Sequence, residues 1–165
     1  MFPLFESEAE WGRTASIAKS WQGTPYRHLQ ATKGRGADCT LFLGACFVEA
    51  GYLDRLEYEH YPKDWHLVTE DEFVLESIFR HFQNHLRPGL TIVEFPAQAA
   101  KVLRGDVITF ATTKKNVSNH AGMVWGDGTM INSIGKHGVS FSKLNSWWMR
   151  HSTRLFRLCH AWGGA

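Results

Sequence analysis

Gly34-Arg35-Gly36-Ala37-Asp38-Cys39-Thr40 runs directly into Leu41-Phe42-Leu43-Gly44-Ala45-Cys46-Phe47-Val48-Glu49-Ala50-Gly51. The second part is apolar nearly all round, as a helix buried at the centre of a fold is. Asp38 is a residue type that caps helix N-termini, and Gly51 stands where a glycine ends one. The pattern predicts a helix from Cys39 to about Ala50 with a cysteine in its first turn. A helix start carries roughly half a positive charge and unpaired N–H groups. That favours the thiolate, the form that attacks carbonyl carbon. Plain core packing is the alternative, because a free cysteine is a small hydrophobe.

Outward from this helix, Trp11, Ala15, Ala18 and Trp21 recur at intervals of four and three, which predicts a first helix over 6–21. Gly23-Thr24-Pro25 ends it, and 26–37 reads as a loop. Beyond Gly51, a loop over 52–68 is rich in Tyr, His and Pro. Thr69-Glu70-Asp71-Glu72 then opens a third helix to about His85, with acids in its first turn and Arg80, His81 and His85 near its end. After Arg87-Pro88-Gly89 the period changes. Strands are predicted at 90–95, 107–110, 120–125, 129–133, 139–142 and 154–161. Gly126-Asp127-Gly128 is a hairpin signal between two of them. Helices first and an antiparallel meander second predict an α+β class.

A chain of 165 residues with 44% apolar and 21% charged content is expected to fold as one domain, 1–165, around an ordinary core. A net charge of +2 gives no argument for nucleic acid as a partner. No stretch reaches 18 uninterrupted apolar residues, so no membrane insertion is expected. Residues 1–8 lack the basic start and apolar run of a signal peptide, which makes the cytoplasm the expected place of synthesis. Cys39, Cys46 and Cys159 form no metal-type pair, and an odd count suggests a reducing compartment.

Chemistry enters with His120, at the start of another apolar segment, and Asn132 beyond it. Cysteine, histidine and a polar orienting group are the parts of a thiol-nucleophile enzyme. His81 and His85 have the spacing of metal ligands on a helix but lack the intervening Glu, so an exposed helix end is expected and no metal.

Several blocks resemble the NlpC/P60 family of cysteine peptidases. They are Gly23-Thr24-Pro25-Tyr26-Arg27, Gly36-Ala37-Asp38-Cys39-Thr40, Arg104-Gly105-Asp106-Val107-Ile108-Thr109-Phe110, His120-Ala121-Gly122-Met123-Val124-Trp125-Gly126-Asp127-Gly128 and Met130-Ile131-Asn132-Ser133. They occur in the family's order. The resemblance implies a papain-like fold in which the helix bearing the nucleophile packs on an antiparallel sheet. It implies peptidoglycan stem peptides as substrate, a thioester intermediate and no cofactor. It assigns Cys39 as nucleophile, His120 as base and acid, and Asn132 as the third member, twelve positions after the histidine where the family often has His. The nearest rival for the third place is His137. Tyr26 and the N–H of Cys39 become the expected oxyanion or substrate donors, and Asp38 an N-cap.

Thr40-Leu41 departs from the family's usual Ser-Gly, and His28-Leu29 from its Gly-Gly. A region at about 52–95 exceeds the minimal domain and reads as an insertion of loop and helix. Within it Tyr61-Pro62-Lys63-Asp64-Trp65-His66-Leu67 is similar to a phage and prophage tail-region subgroup, which implies tail proteins as partners and a virion-associated location. His60, Trp65 and His66 are candidates to line a substrate groove, and Trp147-Trp148 for core, rim or a glycan-binding surface. An acyltransferase or transglutaminase-like enzyme on the same scaffold, or a non-catalytic tail component, are the alternative functions.

Overall fold

The computed structural model describes residues 1–58 and 60–161. The elements are β1 (Phe2–Pro3), α1 (Glu8–Ser20), β2 (Ala31–Thr32), β3 (Gly36–Ala37), α2 (Cys39–Glu49), α3 (Trp65–Val68), α4 (Phe73–His85), β4 (Leu90–Pro96), β5 (Val107–Phe110), β6 (His120–Gly126), β7 (Thr129–Ile134), β8 (Gly138–Lys143), α5 (Ser146–His151) and β9 (Ser152–His160). The expected α+β arrangement is present. Seven strands form one antiparallel sheet in the order β1-β9-β5-β6-β7-β8, with β4 also paired to β9. The meander β5-β6-β7-β8 joins consecutive strands, and β9 returns to pair with β5.

Strand alternation gives the sheet two apolar faces. Val107, Ala121, Met123, Ile131 and Val139 belong to the larger core with Phe42, Leu43, Cys46 and Phe47 of α2. Ile108, Phe110, Val124 and Met130 belong to a smaller core, against which Trp148 and Met149 of α5 pack. Cys46 and Cys159 are buried core residues. The helix bearing Cys39 therefore lies on one face of the sheet and α5 on the other.

Several boundaries differ from the sequence reading for local reasons. α1 starts at Glu8 because the Ser7 hydroxyl accepts from the N–H of Glu10. The third helix starts at Phe73, not Thr69. Thr69 instead closes the separate short α3, its N–H donating to Trp65 O, and the Glu72 carboxylate leaves the helix end to accept from the N–H of Ser118 at 3.0 Å. α5 was not expected. Asn145 caps it by accepting from the N–H of Trp148.

The region at 52–95 folds onto the rest of the chain. Phe82 packs on Phe47 and Phe156, Phe79 meets Phe156 edge-on, and all seven residues of β4 pair with β9. His81 and His85 are buried, not exposed as expected. His81 donates Nδ1–H to Ser77 O and accepts at Nε2 from the N–H of Glu57, and His85 Nε2 lies 2.6 Å from the Glu57 carboxylate. Both histidines thus tie the segment before α3 to α4. Among the described residues no group of three or more His, Cys, Asp or Glu is placed to hold a metal, and no helix is long and apolar enough to cross a membrane.

Candidate active site

Cys39 occupies the first position of α2, and Asp38 caps the helix as its residue type suggests. One carboxylate oxygen accepts from the N–H of Leu41 at 2.8 Å, and the other from the N–H of Leu29 at 2.9 Å. Leu29 has φ +56°, a conformation uncommon outside glycine, so Asp38 both caps the helix and holds a strained loop. The approach to the cysteine is pinned on its other side. Ala37 exchanges backbone hydrogen bonds with Pro25 and Arg27, and its carbonyl accepts from the Ser133 hydroxyl at 2.7 Å. These bonds set Tyr26 alongside Ala37, one residue from the capping Asp38 and two from Cys39.

Glycine is required nearby at Gly138. Its φ is +62° with ψ −147°, and a Cβ there would collide with the carbonyl oxygen of Thr24. That close approach lets Gly23 and Thr24 pair with Val139, carrying the segment that ends in Tyr26 onto the sheet.

His120 is the first residue of β6, and Asn132 lies within β7. The period of two places His120 on the Val124 side and Asn132 on the Met130 side, which is the same face of the sheet. Gly122 lies between them in this row. A Cβ there would stand 3.3 Å from Asn132 Cβ and 2.8 Å from Met130 Sδ, so glycine leaves the room Asn132 occupies. Asn132 is fully buried, and its Oδ1 is 3.0 Å from His120 Nε2. Its Nδ2 donates to Ser140 O at 3.2 Å and Ser142 Oγ at 3.0 Å. With both amide hydrogens committed, Oδ1 must face the imidazole and accept from Nε2–H. Nδ1 is left unprotonated as the basic nitrogen.

Cys39, His120 and Tyr26 line one cleft of about 400 Å³. Asn132 stands behind His120, outside the lining. The remaining walls include Trp147 and Trp148 of α5, Tyr61 and Trp65 from the region at 52–95, and Asn119 from the loop before β6. Trp148 packs against the His120 ring at 5.5 Å and against Phe110 at 4.8 Å. Tyr61, Trp65 and Phe73 form an aromatic cluster, and Tyr61 O accepts from His28 Nε2 at 2.7 Å. Trp65 thus borders the cleft as expected. His60 is exposed and is not part of the lining; the side chain of His66 lies outside the described residues. His137 is exposed on the turn before β8, while Asn132 bonds the imidazole.

The electrostatics differ from a resting ion pair. Burial pushes the Cys39 thiol up to about 12, with the Asp38 carboxylate adding to the rise. The N–H groups of Ala121, Thr40 and Cys39 pull in the opposite direction without overcoming it. Burial likewise lowers His120 to about 4, and the bond to Asn132 offsets part of that. Among the described residues no hydrogen bond joins Cys39 to His120. The helix start was expected to favour a thiolate, but desolvation outweighs it, so burial favours the thiol and the neutral imidazole. Burial also raises the Tyr26 phenol, which keeps its hydroxyl protonated and able to donate.

Ser142 and Ser140 escaped the sequence reading. Ser142 sits ten residues from Asn132 on the next strand, and only the β7–β8 register makes them neighbours. The pair Trp147-Trp148 was a visible signal, but without α5 it had no place.

A family model described as the NlpC/P60 family matches residues 23–157. Among solved structures, the NlpC/p60 domain of the peptidoglycan hydrolase SagA is similar at TM-score 0.53 and 16% identity, covering 88% of this chain and 96% of that one. An NLP/P60 family protein from Staphylococcus aureus is similar at TM-score 0.57 and 16% identity, covering 94% of this chain and 43% of that one. For an NlpC/P60 family protein from Bacillus cereus the values are 0.56 and 20%, with 88% and 39% covered. The chain thus spans nearly all of the SagA domain and less than half of the other two chains. No curated protein matches the sequence.

Proposed function

Because the chain belongs to the NlpC/P60 family, generally cell-wall peptidoglycan hydrolases of papain-like fold, we propose that it hydrolyses an amide bond in peptidoglycan stem peptides. Cys39 is the nucleophile, His120 the base and acid, and Asn132 the residue that positions His120. The observation that carries this reading is the shared cleft. A cysteine at a helix start faces it together with an imidazole whose free Nδ1 is defined by the bond from Nε2–H to Asn132.

Both groups rest neutral, so attack begins with transfer of the thiol proton to His120 Nδ1 as Sγ adds to the carbonyl carbon. The charge then moves onto the carbonyl oxygen. Helix-start N–H groups and the Tyr26 hydroxyl are the donors proposed for it. Collapse breaks the C–N bond, and the leaving amine takes the proton from His120. Water then gives a proton to Nδ1 and adds to the thioester, and Sγ leaves and is reprotonated. Stabilising the imidazolium as it forms is the task of Asn132 Oδ1.

The test is mass analysis of purified peptidoglycan fragments after incubation with the wild type and with Cys39→Ala. New amine and carboxyl termini in the first digest alone support the reading. Intact fragments in both remove it. Products carrying an added amine in place of water would assign the acyltransferase reaction instead. The tail-region setting rests on residues 61–67 alone.

A further inference from the structure

α5 has two working sides. Trp147 and Trp148 line the cleft, whereas Arg150 and His151 of the same helix line a second basin of about 400 Å³. Thr112 lines both, so the two concavities adjoin. The far wall of the basin is the loop between β5 and β6, which contributes Thr113, Lys115 and Asn116.

This basin holds unneutralised positive charge. Its described lining carries no carboxylate, and two fixed cations, Lys115 and Arg150, enter from different elements. Both side chains are exposed, and neither has an ion-pair partner among the described residues. Lys114 shows the contrast, since it faces away to pair with Glu70 at 3.4 Å. A concave site lined by one sign of charge attracts a counter-charge more strongly than a convex surface does.

The walls are built, not loose. Ala111 N–H donates to His151 O at 2.9 Å, joining the loop to α5. Asn119 closes the loop by accepting from the N–H of Thr112 and donating to Thr113 Oγ1 at 2.7 Å. His151 donates Nδ1–H to Trp147 O at 2.7 Å, and its ring stacks on the Trp147 indole at 4.3 Å. The basin is therefore rigidly joined to the cleft wall, and the loop that bears Lys115 ends at His120.

We infer that this basin is a carboxylate-binding subsite, which holds a free carboxylate of the peptide whose scissile amide lies at Cys39. The inference rests on the proposed hydrolysis for its ligand class, but its binding can be read separately. A guanidinium and an ammonium from opposite elements suit an oxyanion. An amide at the same place would lose the charge-assisted part of the interaction.

The experiment uses two synthetic stem peptides that differ only in one carboxyl group, free or amidated. With the wild type, kcat/KM should favour the free acid by on the order of tenfold, carried by KM. The preference should shrink as salt rises. In the double variant Arg150→Gln/Lys115→Gln the ratio should fall to near one. Independently, each peptide is titrated into Cys39→Ala while backbone amide NMR shifts are followed. The free acid should move residues 111–116 and 150–153, and the amidated peptide should not. A wild-type ratio near one without those shifts overturns the subsite while leaving the hydrolysis reading intact. If neither peptide is cleaved, the hydrolysis reading fails. The titration alone then decides, with basin shifts from the acid only supporting the subsite and their absence overturning it.

Discussion

Asn132 turns its oxygen toward His120 because its nitrogen is already spent on β8. The Oδ1 to Nε2 distance is 3.0 Å, and Nδ2 donates to Ser140 O and Ser142 Oγ. The orientation of the imidazole thus depends on a serine that never meets the cleft.

Asn132→Ala should lower turnover by a factor on the order of 10 to 1000, because a misdirected imidazole loses part of its base effect. Asn132→His should retain far more, since its ring can still accept from Nε2–H. Ser142→Ala should fall between wild type and Asn132→Ala, and its stability should drop by about 1 kcal/mol through one lost half-buried hydrogen bond. Steady-state rates and urea unfolding of the three variants check the order. A Ser142→Ala rate equal to wild type would mean that Ser140 O suffices to hold the amide.

Stability should depend on pH through His120. Its pKa falls from an ordinary 6.5 to about 4 in the folded state, so the unfolded chain binds more protons between those values. Its contribution is complete above about 6.5 and is lost as pH falls toward 4, in total on the order of 3 kcal/mol. Urea midpoints measured across that window should decline more steeply for wild type than for His120→Gln. Parallel curves would show that the imidazole is not desolvated.

Cys39 carries the opposite sign. Its thiol rises from 9.0 to about 12 by burial, so its contribution is complete below 9 and is lost as pH climbs toward 12. The same shift predicts that iodoacetamide labels Cys39 slowly at neutral pH, with the rate climbing only in alkaline solution. Peptide mapping after timed labelling measures this, with Cys46 as the buried comparison. A reactive plateau already present near pH 5 would establish a resting thiolate–imidazolium pair instead.

Trp148→Ala should raise the pKa of His120. The indole covers the imidazole ring at 5.5 Å, and burial is the main cause of the lowered value. Admitting water should carry the titration from about 4 toward 6.5, visible in the imidazole signals of an NMR pH series. An unmoved midpoint would assign the desolvation to other walls of the site.

Much of this site was legible in the chain. The apolar helix with Asp38 before Cys39, the glycine hairpin at 126–128 and the alternating strands are local patterns, and local geometry enforces them. The ordered blocks around Cys39, His120 and Asn132 carried the family. What failed locally failed for tertiary reasons. The acids at 69–72 read as a helix start, yet Glu72 is drawn off to the N–H of Ser118, and His81 and His85 read as an exposed end but are buried around Glu57.

By itself the sequence determined the α+β class, the capped helix that presents Cys39 and the twelve-residue step from His120 to Asn132. Only the tertiary structure decided that Ser142 holds Asn132, that Trp148 of α5 packs on His120, and that burial pushes the Cys39 thiol up and the His120 imidazole down. The division has one physical cause. Capping and periodicity are set by neighbours a few residues away, whereas strand register and desolvation belong to surfaces that meet only when the whole chain has closed.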